Sequence, residues 1–352
     1  MMARTSEPAS TAVPAAPTGV ARAAMEADRT MARTAELAAQ PVAGKFDAAH
    51  LREIHRRLFQ DLPAVGIHDV HPGEFRPPTT GGTWVKVRGL ETVPGDFPVA
   101  YSKMDGQAQA RLDAALSAVR PEALSRLPTA EAARAIGTLY AEADYVHPFH
   151  EGNSRALRAF TRQLAQEAGF ALDWERFAAT PAARDRLAIG RDRAVLERVL
   201  PEVAGQSSER MLSIAAHRIS ANPDVGQLVG QVMRPARAVA FERLEPAEAV
   251  ARYPELTGAY ARLQVAAELL AGRAVPSSAS AGRGLAGAMD ADRLSDLRAT
   301  VQARLDANDV LAPPTEREIT RLRTELGSAR AAPVVEAPPA PRADPQREAP
   351  TR

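Results

Sequence analysis

The sequence predicts a mainly α-helical protein with one short hairpin strand and a further helical region toward its carboxy terminus. Between residues 107 and 200, four runs place apolar residues at helical spacing, each closed by Pro, Gly or a polar turn. Two-residue alternation is convincing only once, in TWVKVRGL at residues 83–90. Hydrophobic residues make up 45% of the chain but aromatic residues only 5%, and cysteine is absent. The core is therefore mostly aliphatic, and disulfides, thiolate nucleophiles and cysteine-ligated metals are excluded.

Taken in order, residues 1–20 are rich in Ala, Pro and polar groups and read as an irregular leader. The run VARAAMEADRTMARTAELAAQ at 20–40 holds good helix formers with little to pack, so one helix is expected inside a leader that extends to residue 44. Leu51, Ile54, Leu58 and Phe59 then mark a core helix, which the prolines and glycines from Pro63 to Pro78 stop. In TWVKVRGL, Val85 and Val87 fall on one side and Trp84, Lys86 and Arg88 on the other, ahead of a turn at Pro94, Gly95 and Asp96. Helices follow to about residue 200. Beyond Gly205 the helical pattern is more broken, with a Ser/Gly linker at 275–287, and residues 328–352 return to an irregular Ala/Pro-rich composition. The expected organisation is 1–44 leader, 45–205 central helical domain with the hairpin strand, 206–327 helical accessory region and 328–352 tail.

With 352 residues, about two domains are expected. Forty-four basic residues against 43 acidic ones leave a charge of +1, too balanced for the broad positive field of a non-specific nucleic-acid binder. No run approaches the roughly 18–20 apolar residues of a membrane span. Prolines and a glutamate interrupt the first twenty residues, where a secretion signal needs an unbroken apolar stretch. A cytoplasmic location is the expectation.

The dodecapeptide HPFHEGNSRALR, residues 147–158, stands apart. Pro148 and Gly152 make a loop, and Asn153 or Ser154 suits the cap of the helix that follows, so the loop delivers its side chains to a helix amino terminus. Gly152 is expected to let an anion approach the backbone. On that helix Leu157, Phe160 and Leu164 form a buried stripe, while Arg155 and Arg158 sit in the first turn, where cations are disfavoured and call for an anion such as a polyphosphate. Glu151 is a carboxylate suited to magnesium, which takes one or two carboxylates and completes its shell with phosphate oxygens and water. His147, with an ordinary pKa near 6.5, is the candidate base and is expected to stand open to an attacking hydroxyl at the helix mouth. Phe149 reads as a core anchor for the loop. His147 and His150 lie three apart across a proline, which does not match the i, i+4 spacing of a zinc protease. His50, His55, His68, His71 and His217 read as helix-surface or loop histidines.

These twelve residues resemble the signature of the Fic (filamentation induced by cAMP) family, His-x-Phe-x-Asp/Glu-Gly-Asn-Gly-Arg-x-x-Arg, with His147, Phe149, Glu151, Gly152, Asn153, Arg155 and Arg158 in register. IHRRLF at 54–59 and GEFR at 73–76 are similar to two upstream family segments. The resemblance spans about residues 45–205 and implies a Fic-type helical bundle core with a small β-hairpin flap. It implies a protein adenylyltransferase that moves AMP from ATP to a Ser, Thr or Tyr hydroxyl of a target protein. In that reading His147 is the general base, Glu151 holds Mg2+, Gly152 and Asn153 form the anion hole beside Ser154, and Arg155 and Arg158 clamp the outer phosphates. Trp84, Val85, Lys86 and Val87 would form the flap that docks the target by strand addition.

Ser154 stands where the family usually has glycine, which leaves open a phosphotransferase or another nucleotidyl or phosphodiester transferase. His71 and Pro72 replace a common Trp-Ala. The family's Ser/Thr-x-x-x-Glu-Gly/Asn restraining motif, whose glutamate pairs with the residue equivalent to Arg158, does not occur. That absence implies either a separate small antitoxin-like inhibitor or an unrestrained toxin or translocated effector of bacterial origin. A non-catalytic interaction protein using its helical carboxy-terminal half is the alternative from another class.

Overall fold

The computed structural model describes residues 18–92, 94–271 and 282–328, the last stretch by backbone alone up to residue 289. The irregular ends expected from the sequence fall almost wholly outside these residues. The elements are α1 Gly19–Ala39, α2 Ala48–Phe59, β1 Trp84–Arg88, β2 Phe97–Tyr101, α3 Gly106–Ser117, α4 Pro121–Leu124, α5 Thr129–Val146 and α6 Asn153–Glu167. They continue with β3 Phe170–Leu172, α7 Pro181–Val199, α8 Glu209–Ile219, α9 Val225–Val232, β4 Met233–Pro235, α10 Ala236–Arg243 and α11 Pro246–Arg252. The last are α12 Thr257–Ala271, α13 Gly282–Asp306 and α14 Glu316–Ser328. The fold is mainly α, as expected.

Two compact units are formed, one from residues up to Tyr253 with Gln302–Val310, the other from Pro254–Val301 and the residues from Leu311 onward. The first holds α5 at its centre. Its buried Ile136, Leu139, Tyr140 and Val146 pack against α3, α6, α7 and, most extensively, α9. Gly137 and Gly226 let α5 and α9 cross at close range: a Cβ on Gly137 would lie 2.4 Å from the Gly226 Cα. In α6, Leu157, Phe160 and Leu164 are fully buried, so the helical stripe read from sequence is the core face. Within the second unit, Arg262 of α12 pairs with Glu318 of α14 at 3.1 Å.

The single alternating segment is β1, paired antiparallel with β2 in the register Trp84↔Tyr101 to Arg88↔Phe97. Three further strands went unread. β2 (FPVAY) is buried at four of five positions, which erases alternation, and β3 and β4 are three-residue pieces pairing with each other. The first helix also does more than its weak apolar content suggests. Arg33 pairs with Asp61 at 2.7 Å and Arg57 with Glu36 at 3.0 Å, so charge pairs tie α1 to α2 and its following turn beside the buried Leu37.

Candidate active site

Helix α5 ends at Val146, and His147 takes the left-handed conformation, φ 51°, as its C-cap. That kink starts the loop 148–152, which ends at Gly152, φ 81°, the N-cap of α6. Phe149 is fully buried and stacks on His55 with ring centroids 3.8 Å apart and planes 10° from parallel. The Phe149 amide donates to Asn153 Oδ1 at 2.9 Å, and Asn153 Nδ2 donates back to the Phe149 carbonyl at 2.6 Å. Arg76 donates from Nε to the His147 carbonyl at 2.8 Å and from Nη2 to the Ser102 carbonyl at 2.7 Å, while its amide donates to Pro148 O. His55 Nδ1 accepts from the Gly73 amide at 3.0 Å, which leaves Nε2–H to donate to the Glu151 carbonyl at 3.0 Å. Burial pushes His55 down to about 4, so the ring is neutral and holds one tautomer.

Two expectations change here. The Asn153 side chain spends both polar atoms on the Phe149 backbone, so it staples the loop and leaves only its amide for an anion. Gly152 is also needed for its positive φ and because a Cβ would sit 2.3 Å from Phe59 Cζ, so its missing side chain makes room for that ring. His50 and His55 are buried, not surface or loop residues.

His147 is also buried, with 4% of its surface exposed. Tyr101 lies against the imidazole at 3.8 Å between centroids, and Trp84 of β1 covers it edge-on at 5.5 Å. The expected open imidazole is therefore roofed by the hairpin. Nδ1 is 3.3 Å from the Asp144 carbonyl oxygen and 3.6 Å from Asp144 Oδ1. Burial lowers its pKa to about 4 against the opposing pull of Asp144, so the ring is neutral at pH 7.

The roof is latched. Lys86 Nζ lies 3.0 Å from Glu151 Oε1, donates to the His150 carbonyl at 3.3 Å and sits 4.3 Å from the Trp84 ring centre. Arg76 stacks on Trp84 at 4.5 Å. Val85 and Val87 point outward and are exposed, and among the described residues the other edge of β1 has no partner strand.

The first turn of α6 separates its two arginines. Arg155 is paired with Glu26 of α1 and stacks over Phe59 at 4.8 Å, so the anion it calls for is already supplied within the chain. Arg158 has only the Ser154 carbonyl, at 3.3 Å, and no carboxylate among the described residues, although burial pushes its guanidinium down. Among the described residues no backbone acceptor meets the amides of residues 153 to 155. The Ser154 hydroxyl lies beside the fully buried Tyr140 hydroxyl, which has no well-formed hydrogen bond of its own.

Behind the imidazole lie residues that sequence reasoning missed. Asp144, fully buried, accepts a two-pronged bond from Arg191 of α7, Nε to Oδ2 at 3.0 Å and Nη2 to Oδ1 at 2.9 Å. Burial would raise the Asp144 carboxyl, but Arg191 holds it well below the usual range. Asp192 lies 3.4 Å from Arg88 Nε, and Arg88 also bonds the Tyr101 hydroxyl. Burial pushes Asp192 up to about 6. The available signal was Arg191 and Asp192 lying inside an otherwise apolar helix face, and Asp144 one turn before His147.

Among the described residues no cluster of three His, Cys, Asp or Glu could hold a metal. Glu151 nevertheless fits magnesium in donor type: its carboxylate is 46% exposed and already holds a cation, Lys86. One such carboxylate suffices when phosphate oxygens complete the shell.

Residues 45–165 match the model of the Fic/DOC family. The chain is 31% identical over 146 residues to protein adenylyltransferase VbhT of Bartonella schoenbuchensis, covering 41% of this chain and 26% of that protein. It is 29% identical over 131 residues to the probable protein adenylyltransferase Fic of Escherichia coli, covering 36% of this chain and 53% of that protein. The chain thus spans about a quarter of the first relative and about half of the second. Among solved structures, the ADP-bound amino-terminal Fic domain of a cell filamentation protein from Bartonella quintana aligns with TM-score 0.38 and 22% identity, over 60% of this chain and 85% of that one. No helix among the described residues is long and apolar enough to cross a membrane.

Proposed function

Residues 45–165 being a Fic/DOC-family domain, we propose that this chain is a protein adenylyltransferase, moving AMP from ATP to a hydroxyl side chain of a target protein. The observation that carries the reading is Arg158. It is a partly buried cation with no carboxylate partner among the described residues, on a helix turn whose amides also lack acceptors there. A cation partly withdrawn from water and without a carboxylate favours an incoming anion, and the outer phosphates of a nucleotide suit a guanidinium fork.

In this reading the target hydroxyl gives its proton to His147 Nε2, the ring nitrogen turned away from Asp144. The oxygen bonds to the α-phosphorus as the bond to the β-phosphate oxygen breaks, and pyrophosphate leaves. Arg158 and the first-turn amides hold the outer phosphates. Glu151 would hold magnesium, which supplies positive charge at the phosphates when bound. Trp84 must lift and Lys86 must release Glu151 before a target reaches His147, so the hairpin couples target docking to access. Because Arg158 lacks a carboxylate, an inhibitor acting on it would bring one in trans. Delivery into another cell as an effector fits the same chemistry.

The test is incubation of purified chain with Mg2+ and α-labelled ATP in a lysate, beside His147→Ala. Label on a protein with a mass gain of AMP, reduced at least about 100-fold by the substitution, is the expected result. A gain of bare phosphate overturns the AMP reading in favour of phosphotransfer. Cellular effects unchanged by His147→Ala would favour the non-catalytic alternative.

A further inference from the structure

Resting on the transferase reading, we propose that Asp144, locked by Arg191, is a positioning residue that fixes the tautomer and orientation of the His147 imidazole. The left-handed kink at His147 folds the ring back over the last turn of its own helix, so Nδ1 meets two oxygens of one residue: the Asp144 carbonyl at 3.3 Å and Oδ1 at 3.6 Å. With the proton on Nδ1, the ring donates toward both. With the proton on Nε2, it would aim a lone pair at both, which a buried site does not tolerate. Nε2 is thereby left bare as the base.

The carboxylate cannot rotate away, because Arg191 grips both of its oxygens from α7 and the pair is fully buried. The remaining neighbours of the ring are Tyr101, Trp84 and the cations Lys86 and Arg191, and neither cation favours a protonated imidazole. Asp144 is thus the one described group beside the ring whose charge favours the imidazolium that forms when Nε2 takes the hydroxyl proton. Arg191 acts at one further remove, holding the aspartate in place. Helix α7, outside the matched residues 45–165, thereby contributes to the chemistry.

Asp144→Asn keeps the shape and an acceptor oxygen while removing the charge. In the full chain, AMP transfer measured against pH should show kcat lower by about 30-fold, KM for ATP within about twofold, and an acid limb moved to lower pH. Asp144→Asn with unchanged kcat and acid limb, or with an effect on KM alone, overturns the proposal. Nitrogen-15 spectra of histidine-labelled wild-type chain, with His147 assigned by loss of its signal in His147→Asn, provide a measurement that needs neither activity nor a folded Asp144 variant. A protonated Nδ1 and a bare Nε2 are expected, and the opposite tautomer overturns the proposal. If wild-type chain transfers no AMP, the functional reading fails, while the opposite tautomer in the spectra would still overturn the positioning role of Asp144.

Discussion

The inner wall of the site and its mouth are built on opposite plans. In the wall, Asp144 is matched by Arg191, Asn153 by the Phe149 backbone, His55 by Gly73 and Glu151 backbone groups, and Arg76 by the His147 and Ser102 carbonyls, with only its Nη1 left without a partner among the described residues. At the mouth, Arg158 and the first-turn amides of α6 have no anion, and the contact of Lys86 with Glu151 is half-exposed. A satisfied buried network resists rearrangement, whereas an exposed ion pair is worth only about 0–1 kcal/mol and exchanges readily. The wall fixes the His147 imidazole; the mouth is left free to take charge from outside.

That contrast can be broken from either side. Arg158→Ala should lower kcat/KM for ATP by about 100-fold with unfolding stability unchanged or slightly raised, because it removes a partly buried cation that has no carboxylate partner among the described residues. Equal loss from Arg155→Ala would erase the distinction between the two arginines, since Arg155 already has Glu26. Asn153→Ala should do the reverse. It strands the buried amide and carbonyl of Phe149, and denaturant unfolding should show a loss of about 2 kcal/mol. A change below about 0.5 kcal/mol would show that the loop does not depend on the staple. The smallest effect belongs to Lys86→Ala, which frees Glu151 and unseats Trp84. Stability should change by less than about 1 kcal/mol, while quenching of tryptophan fluorescence by acrylamide rises. Unchanged quenching would mean that packing on His147 and Arg76, not the lysine, holds the roof down.

The residues of the dodecapeptide could be read because their chemistry is local: a loop, a glycine and a helix start within twelve positions. What each side chain does there could not be read, because it depends on partners far along the chain. Glu26 lies 129 residues before Arg155, and Arg191 lies 47 residues after Asp144. Asn153 reads as an anion-hole residue until Phe149 is seen to occupy both ends of its amide. The hairpin alternation was legible, but its polarity inverts the usual rule: Trp84, Lys86 and Arg88 face inward and the two valines outward. The inward face covers charged and ring groups, not an aliphatic core. The long central helices were legible from period alone, whereas β2 was hidden by burial on both faces.

The crossing of Gly137 and Gly226 sets how the molecule may be trimmed. Residue 226 lies beyond the boundary drawn near 205 from composition, yet it rests directly on the helix whose end carries His147. A fragment stopped at 205 loses Val225, Leu228, Val229 and Val232 and leaves a greasy furrow along α5. Pieces that stop short of α9 should therefore precipitate before any chemistry can be assayed, and the compact unit that holds α5 runs on to Tyr253 and takes in Gln302–Val310.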